Sequence, residues 1–223
     1  SYTCSSHRSL DKLWVGQACT DAEIRQVADY LNAQYPTTYG PMLVCVGDSM
    51  SSGYLLGSPS TEAGPAIVAA TRNYQLRQHA YPGWRTYWAG NPNIRDGGNS
   101  LPTLEKDGLL FASIITDWSG INDVNNAVTN TTLKGYKETN IAAIRAKNPD
   151  AKLVGFTLLP SLAVVGSEET ERAAHNTDMK GAWGAAQYDQ IVDLEEIAAL
   201  LDPSDVTYYN VDGTHLNATG HAL

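Results

Sequence analysis

Three short polar clusters stand out along this 223-residue chain. Ser49 lies in Gly47-Asp48-Ser49, directly after the apolar run Met42-Leu43-Val44-Cys45-Val46. A hydroxyl is a poor nucleophile until a base removes its proton, and histidine titrates in the range that suits this task. Asp212-Gly213-Thr214-His215 places such an imidazole three residues after a carboxylate. The carboxylate can fix the imidazole's tautomer and stabilise the cation it becomes. The third cluster is Gly120-Ile121-Asn122-Asp123, which follows another apolar run. A side-chain amide there is a suitable donor to the oxygen that gains charge during acyl transfer. Each cluster alone is weak, since Gly-Asp-Ser is a common turn, Asp-x-x-His occurs in solvated loops, and Asn-Asp caps helices. Their chain order and their places after apolar runs are what a single nucleophilic site requires.

The elements that must position these clusters alternate between strand and helix. Apolar runs predict strands at Met42 to Val46, Leu109 to Thr116 and Lys152 to Leu159, and further strands are expected near Tyr74 to Ala80 and, as a short one, at Gln190 to Leu194. Helical patterns predict helices at Asp21 to Gln34, Pro65 to Thr71, Leu133 to Lys147 and Glu195 to Leu201. Near-continuous apolar strands separated by helices imply a parallel sheet covered on both faces. In such folds ligands bind beyond the carboxyl ends of the strands, where the polar clusters fall.

Composition sets the outer limits. Hydrophobic residues make up 43% and charged residues 17%, as expected of a globular protein. The net charge of −9 argues against broad contact with nucleic acid or anionic lipid. No apolar run approaches the roughly 20 residues that span a bilayer. Of the three cysteines, Cys45 reads as a buried apolar residue, while Cys4 and Cys19 are either a disulfide or two separate thiols. With acceptor patterns at Asn130-Thr131-Thr132 and Asn217-Ala218-Thr219, they lean the expectation toward an extracellular or secretory location.

Taken together, the clusters resemble the SGNH hydrolase superfamily, the GDSL esterase/lipase group. The resemblance runs from Met42 to the C-terminus on Gly47-Asp48-Ser49, Gly120-Ile121-Asn122-Asp123 and Asp212-Gly213-Thr214-His215, and it continues through Leu216-Asn217-Ala218-Thr219-Gly220-His221. It implies a three-layer α/β/α sandwich with a mainly parallel central sheet, the flavodoxin-like arrangement of that superfamily. It also implies Ser49 as nucleophile, His215 as base and Asp212 as the orienting carboxylate. The oxyanion hole would comprise the Ser49 N–H, the Asn122 side chain and a glycine N–H. Gly83 in Ala80-Tyr81-Pro82-Gly83 matches that glycine better than Gly97 or Gly98, because it follows an expected strand. Met50 stands where the group has leucine. Beside the group's pattern the last helix is expected to be short in this sequence, with less packing beneath His215.

The expectation is one SGNH domain over residues 1–223, with 1–41 an N-terminal extension packed on it. The activity expected is serine-dependent hydrolysis of an acyl ester through an acyl-enzyme, with no cofactor. The expected substrate is a small molecule or carbohydrate bearing a short acyl group. Tyr54, Trp84 and Trp118 are candidate substrate-binding aromatics, with Trp88 also near the clusters. No Gly-x-Ser-x-Gly occurs, which argues against a nucleophile elbow of another fold. Two other readings remain open at this level. A metal-dependent phosphoesterase would gather Asp48, Asp123, Asp212 and His215. A silent carbohydrate-binding module would keep the fold without turnover. His221 is a rival base lacking a paired acid, and His7, His79 and His175 have no motif context.

Overall fold

The computed structural model describes residues 40–86 and 108–223, with Thr20, Ala22 and Gln26. The chain divides into two compact units, Ser1–Gly40 and Pro41–Leu223, and the second carries all three clusters. The expected helix at Asp21 to Gln34, Cys4, Cys19, His7, Trp88, Gly97 and Gly98 lie almost wholly outside the described residues.

In the second unit the chain begins with β1 (Met42–Gly47), a single turn α1 (Ser49–Ser52), a second turn α2 (Pro59–Glu62) and α3 (Gly64–Arg72). Next come β2 (Gln75–Ala80), a 3-10 turn at Leu109–Phe111, β3 (Ala112–Trp118) and the turn α4 (Ile121–Val124). The long helix α5 (Asn130–Lys147), β4 (Lys152–Phe156), α6 (Ser167–Lys180), α7 (Ala182–Gln187) and β5 (Gln190–Val192) follow. After 3-10 turns at Leu194–Glu196 and Ala198–Leu200, the final element is the turn α8 (Ala218–His221).

The five strands form one parallel sheet in the order β2-β1-β3-β4-β5. The chain steps from β1 to β2 on one side and then crosses β1 to build β3 on the other. That reversal opens a crevice at the carboxyl ends of β1 and β3, the usual binding place in such sheets. Gly47 pairs with both Ala80 and Trp118 there, so the three strand ends lie side by side.

Strand alternation sends Val44, Val46, Ile115 and Leu153 to one face, where Ile141 and Ile144 of α5 and Met179 of α6 cover them. Helix α5 starts at Thr129, whose hydroxyl accepts the Thr132 N–H, and ends with Arg145 and Lys147 in its last turn. On the other face Leu43, Cys45, Ile114, Val154 and Phe156 border an apolar hollow of about 480 Å3, walled by α3 and the C-terminal turns. Helices on both faces of a parallel sheet make the expected α/β/α sandwich. Burial pushes the Cys45 thiol up to about 11, so it stays a neutral packing group.

Several expected elements change bounds because side chains take over backbone partners. The strand expected at Leu109 to Thr116 starts three residues later, after the 3-10 turn. The Asn148 amide holds the Leu109 and Ala112 carbonyls at 2.7 and 2.9 Å, and Gly108 sits at φ +101°. That strand then runs two residues further, to Trp118. Strand β4 stops at Phe156 instead of Leu159. Beyond it, Asn176 and Arg172 occupy the Leu158 N–H and carbonyl. The helix expected at Glu195 to Leu201 is two separate 3-10 turns. Thr157 accepts the Leu194 N–H, and the Tyr209 hydroxyl donates to the Leu200 carbonyl. Helix α6, which sequence reading did not find, packs largely through Arg172, His175 and Asn176 and so lacks a clear apolar stripe.

Both glycosylation patterns are committed to the fold. The Asn130 amide, 8% exposed, donates to Asp178, and the Asn217 amide donates to three backbone carbonyls. Among the described residues no helix is long and apolar enough to cross a membrane.

Candidate active site

Ser49 opens the turn α1, directly past β1. The Asp48 carboxylate caps that turn by accepting the Met50 N–H at 2.9 Å. A Cβ on Gly47 would collide with Ser51 and with the Trp118 carbonyl, so only glycine lets β1 pass this close to β3. The nucleophile turn is therefore wedged between neighbouring strand ends, and Ser49 is 5% exposed.

His215 brings Nε2 to 2.9 Å from Ser49 Oγ. Its Nδ1 lies 2.6 Å from Asp212 Oδ2. With the Nδ1 proton directed at the carboxylate, Nε2 is left to accept the serine proton. The other carboxylate oxygen of Asp212 accepts the backbone N–H groups of Thr214 and His215, each at 3.0 Å. Gly213 bends the loop at φ +59°. Burial pushes Asp212 upward, but its bonds from His215 and Thr214 outweigh that and hold its carboxyl below the usual range. The loop is tied down by Asn210, whose N–H reaches the His215 carbonyl at 2.7 Å, and by a 2.7 Å hydroxyl bond between Ser161 and Thr214. The Tyr54 ring meets the imidazole edge-on at 5.0 Å.

Gly83 and Asn122 lie beyond the ends of β2 and β3. Gly83 adopts φ +82° with open space around it, so its backbone angle, not crowding, calls for glycine. The Asn122 amide donates to the Trp84 carbonyl at 2.9 Å. This bond uses one amide hydrogen, sets which way the carboxamide faces, and leaves the second hydrogen for a ligand. Next to it, Asp123 accepts the Thr86 N–H at 2.8 Å. The segment that carries Gly83 is thus gripped at Trp84 and Thr86 by two consecutive residues of α4.

Beneath this segment lies a polar network that sequence reading missed. Lys137 of α5 is fully buried and pairs with Asp117 at 2.9 Å. Asp117 also accepts from Ser119 at 2.6 Å and from Tyr188 at 2.7 Å. Ser119 in turn accepts the Thr86 hydroxyl at 3.2 Å, and Asn140 holds the Thr86 carbonyl. Burial pushes Asp117 up, yet Lys137, Ser119 and Tyr188 outweigh it and hold the carboxyl below its usual range. Only the Asp123 member had any sequence signal, through its place in Gly-Ile-Asn-Asp. The partners at Thr86, Asp117, Ser119, Lys137, Asn140 and Tyr188 follow no local spacing rule.

The expected aromatic wall is smaller than foreseen. Tyr54 is exposed beside His215, but Trp84 and Trp118 are 9% and 8% exposed and act as packing groups. Trp118 stacks on Phe156, and Trp84 leans on His79 and on the exposed Tyr81 ring. Tyr54, Leu55, Gln78 and Tyr81 border a surface groove of about 410 Å3 next to the nucleophile turn. Tyr81 is the groove aromatic that sequence reading did not single out.

The other three described histidines are structural. His221 accepts the Gly64 N–H at 3.3 Å, and burial with the neighbouring His215 charge lowers it to about 4. His175 is lowered to about 3, chiefly by burial, and rests on Asn130. His79 is fully buried against Trp84. Among the described residues no three His, Cys, Asp or Glu side chains come together in a way that could hold a metal ion. Asp48, Asp123, Asp212 and His215 therefore do not form the cluster that a metal phosphoesterase requires.

Known proteins place this geometry in context. Residues 45–223 match the pattern of the GDSL-like Lipase/Acylhydrolase family. No curated protein sequence matches the chain. Among solved structures, a lipolytic G-D-S-L family protein from Veillonella parvula superposes with a TM-score of 0.62 at 16% identity, covering 82% of this chain and 93% of that one. Est24, a carbohydrate acetylesterase from Sinorhizobium meliloti, superposes with a TM-score of 0.61 at 16% identity, covering 82% and 96%. TesA gives a TM-score of 0.60 at 18% identity, covering 81% and 92%. At these identities the likeness is one of fold.

Proposed function

From the chain's membership of the GDSL-like lipase/acylhydrolase family, which makes it a serine hydrolase of the esterase/lipase type, we propose that it removes short acyl groups, acetyl above all, from a carbohydrate ester through an acyl-enzyme. The observation that carries the catalytic part is the unbroken chain from Asp212 through His215 to Ser49, at 2.6 and 2.9 Å. Ser49 Oγ attacks the ester carbonyl while His215 Nε2 takes its proton. Negative charge then gathers on the former carbonyl oxygen. The free hydrogen of the Asn122 amide, the Gly83 N–H and the Ser49 N–H meet it. His215 returns the proton to the departing alcohol. Water, deprotonated by the same imidazole, releases the acid and restores Ser49.

Support for a sugar as the alcohol comes from the groove beside Ser49. Its exposed Tyr54 and Tyr81 rings offer flat apolar faces. Gln78, whose amide donates to the Ser51 carbonyl at 3.0 Å, keeps its side-chain oxygen as an acceptor for hydroxyls. Tyr54 touches the imidazole that protonates the leaving alcohol, so the alcohol side of the ester faces this groove. Est24, which shares the fold, is by name a carbohydrate acetylesterase.

The test is an acyl-chain series of nitrophenyl esters run beside acetylated oligosaccharides, with wild type and Ser49→Ala. Turnover should peak at acetyl and extend to the acetylated sugars, and Ser49→Ala should lower kcat by about 10^4-fold or more. A fluorophosphonate should label wild type at Ser49. Full activity in Ser49→Ala would overturn the catalytic assignment. Rates that climb with chain length, without sugar deacetylation, would overturn the substrate class.

A further inference from the structure

The Asn-Asp pair of α4 grips the segment after Gly83 from both sides. Asn122 donates to the Trp84 carbonyl at 2.9 Å, and Asp123 accepts the Thr86 N–H at 2.8 Å. These bonds span a single intervening residue, Arg85. Two donors assigned above to the oxyanion, the Gly83 N–H and the Asn122 amide, thus belong to separate strand ends that one turn clasps together. We propose that Asp123 is a positioning residue of the oxyanion hole, setting the Gly83 N–H relative to the Asn122 amide through its bond to Thr86. The inference rests on the esterase reading above.

Three observations support it. Asp123 is fully buried, so its carboxyl does not serve solubility or contact with solvent. Its polar contact runs to Thr86, whose N–H and hydroxyl both favour the carboxylate. The Thr86 end of the clasp is also fixed independently. Its carbonyl is held by Asn140, and its hydroxyl meets Ser119 at 3.2 Å, so a pull by Asp123 is transmitted to Gly83 instead of dissipating downstream. Oxyanion donors act only when they are preorganised, and a displacement near 1 Å can cost about 100-fold.

The negative charge is not what the clasp needs. Burial pushes the Asp123 carboxyl up against the bonds from Thr86. In Asp123→Asn the carboxamide oxygen still accepts the Thr86 N–H, and its amide takes the place of the other oxygen. Asp123→Ala has no acceptor at all.

The test compares wild type, Asp123→Asn and Asp123→Ala on nitrophenyl acetate and on its thiono analogue, whose sulfur accepts hydrogen bonds poorly. Rates are taken per site titrated with a fluorophosphonate, so partial unfolding does not mimic the effect. Asp123→Ser serves if Asp123→Ala yields no soluble protein. Asp123→Ala should lower kcat on the oxygen ester by about 10- to 100-fold with KM within about twofold. It should reduce the oxygen-to-sulfur rate ratio by a similar factor, whereas Asp123→Asn should stay within about threefold of wild type on both measures. An unchanged ratio in Asp123→Ala would overturn the proposal. So would a loss in Asp123→Asn as large as in Asp123→Ala, since charge and not the clasp would then matter. If Ser49→Ala kept full activity, the esterase reading would fall first and this inference with it.

Discussion

Asp212 and His215 stand three residues apart on one loop, with side chains 37% and 16% exposed. Asn122 and the Gly83 segment are joined by a bond that spans 38 residues and rests on a fully buried lysine. The base must pass protons to the leaving group and to water, so its loop can stay at the surface with a short internal truss. The oxyanion donors must already point at charge that exists only briefly, and reorganising them during reaction would cost rate. A local turn with a tie to Ser161 suffices for the first task. Rigid burial serves the second.

If the oxyanion side does depend on its buried network, Lys137→Met should cost about 3–5 kcal/mol of stability, because Asp117 is left buried without its cation. Urea unfolding measures this, and adding Asp117→Asn should recover most of the loss. A loss below about 1 kcal/mol would mean that the bonds from Ser119 and Tyr188 hold Asp117 without Lys137. Next in size, Asn122→Ala should lower kcat by about 10^2- to 10^3-fold while leaving KM within a few-fold. Steady-state kinetics on nitrophenyl acetate reads the split. A rise in KM at constant kcat would move Asn122 from the oxyanion to ground-state binding.

A pH-dependent effect concerns Asp48, which lies at the foot of the nucleophile turn. Burial raises its carboxyl to about 7. The unfolded chain releases that proton near pH 4, so between about 4 and 7 the native state holds a proton that the unfolded state has lost. Its contribution is therefore fully present below pH 4 and declines by about 1.4 kcal/mol per unit until pH 7. Asp48→Asn keeps the acceptor for Met50 and removes that decline. It should match wild type near pH 4 and be the more stable of the two at pH 8 in urea unfolding. Equal stability of the two at pH 8 would show that Asp48 is solvated well enough to ionise freely.

Much of the fold was legible because parallel strands buried on both faces leave long apolar runs. Met42 to Val46 falls where its run placed it, while Gln75 to Ala80, a mostly polar strand at the sheet edge, lies within the expected Tyr74 to Ala80 without such a run. The misplaced elements share one cause. At Leu109–Phe111 and Leu194–Leu200, Asn148, Thr157 and Tyr209 reach in from elsewhere and take backbone groups that a strand or helix would have used. Helix α6 was missed because polar residues mediate its packing. Trp84 and Trp118 were expected in a substrate wall because they neighbour the motifs, yet their large apolar areas were better used in packing.

Residue type and short spacing made the Asp212–His215 pairing available, since three residues and one glycine let one turn carry both side chains, and the ties from Ser161 and Asn210 hold that turn in place. They also determined that Gly47-Asp48-Ser49 and Gly120-Ile121-Asn122-Asp123 follow strands, because an apolar run must end where the chain meets water. The tertiary structure decided the rest: that those strands are neighbours, that Ser49 comes within 2.9 Å of His215, and that Asn122 and Asp123 close on Trp84 and Thr86. Contacts over such separations depend on crossovers and sheet order, which no local pattern encodes. Lys137 shows the limit most plainly, since a lysine reads as a surface residue until packing supplies Asp117 as its partner.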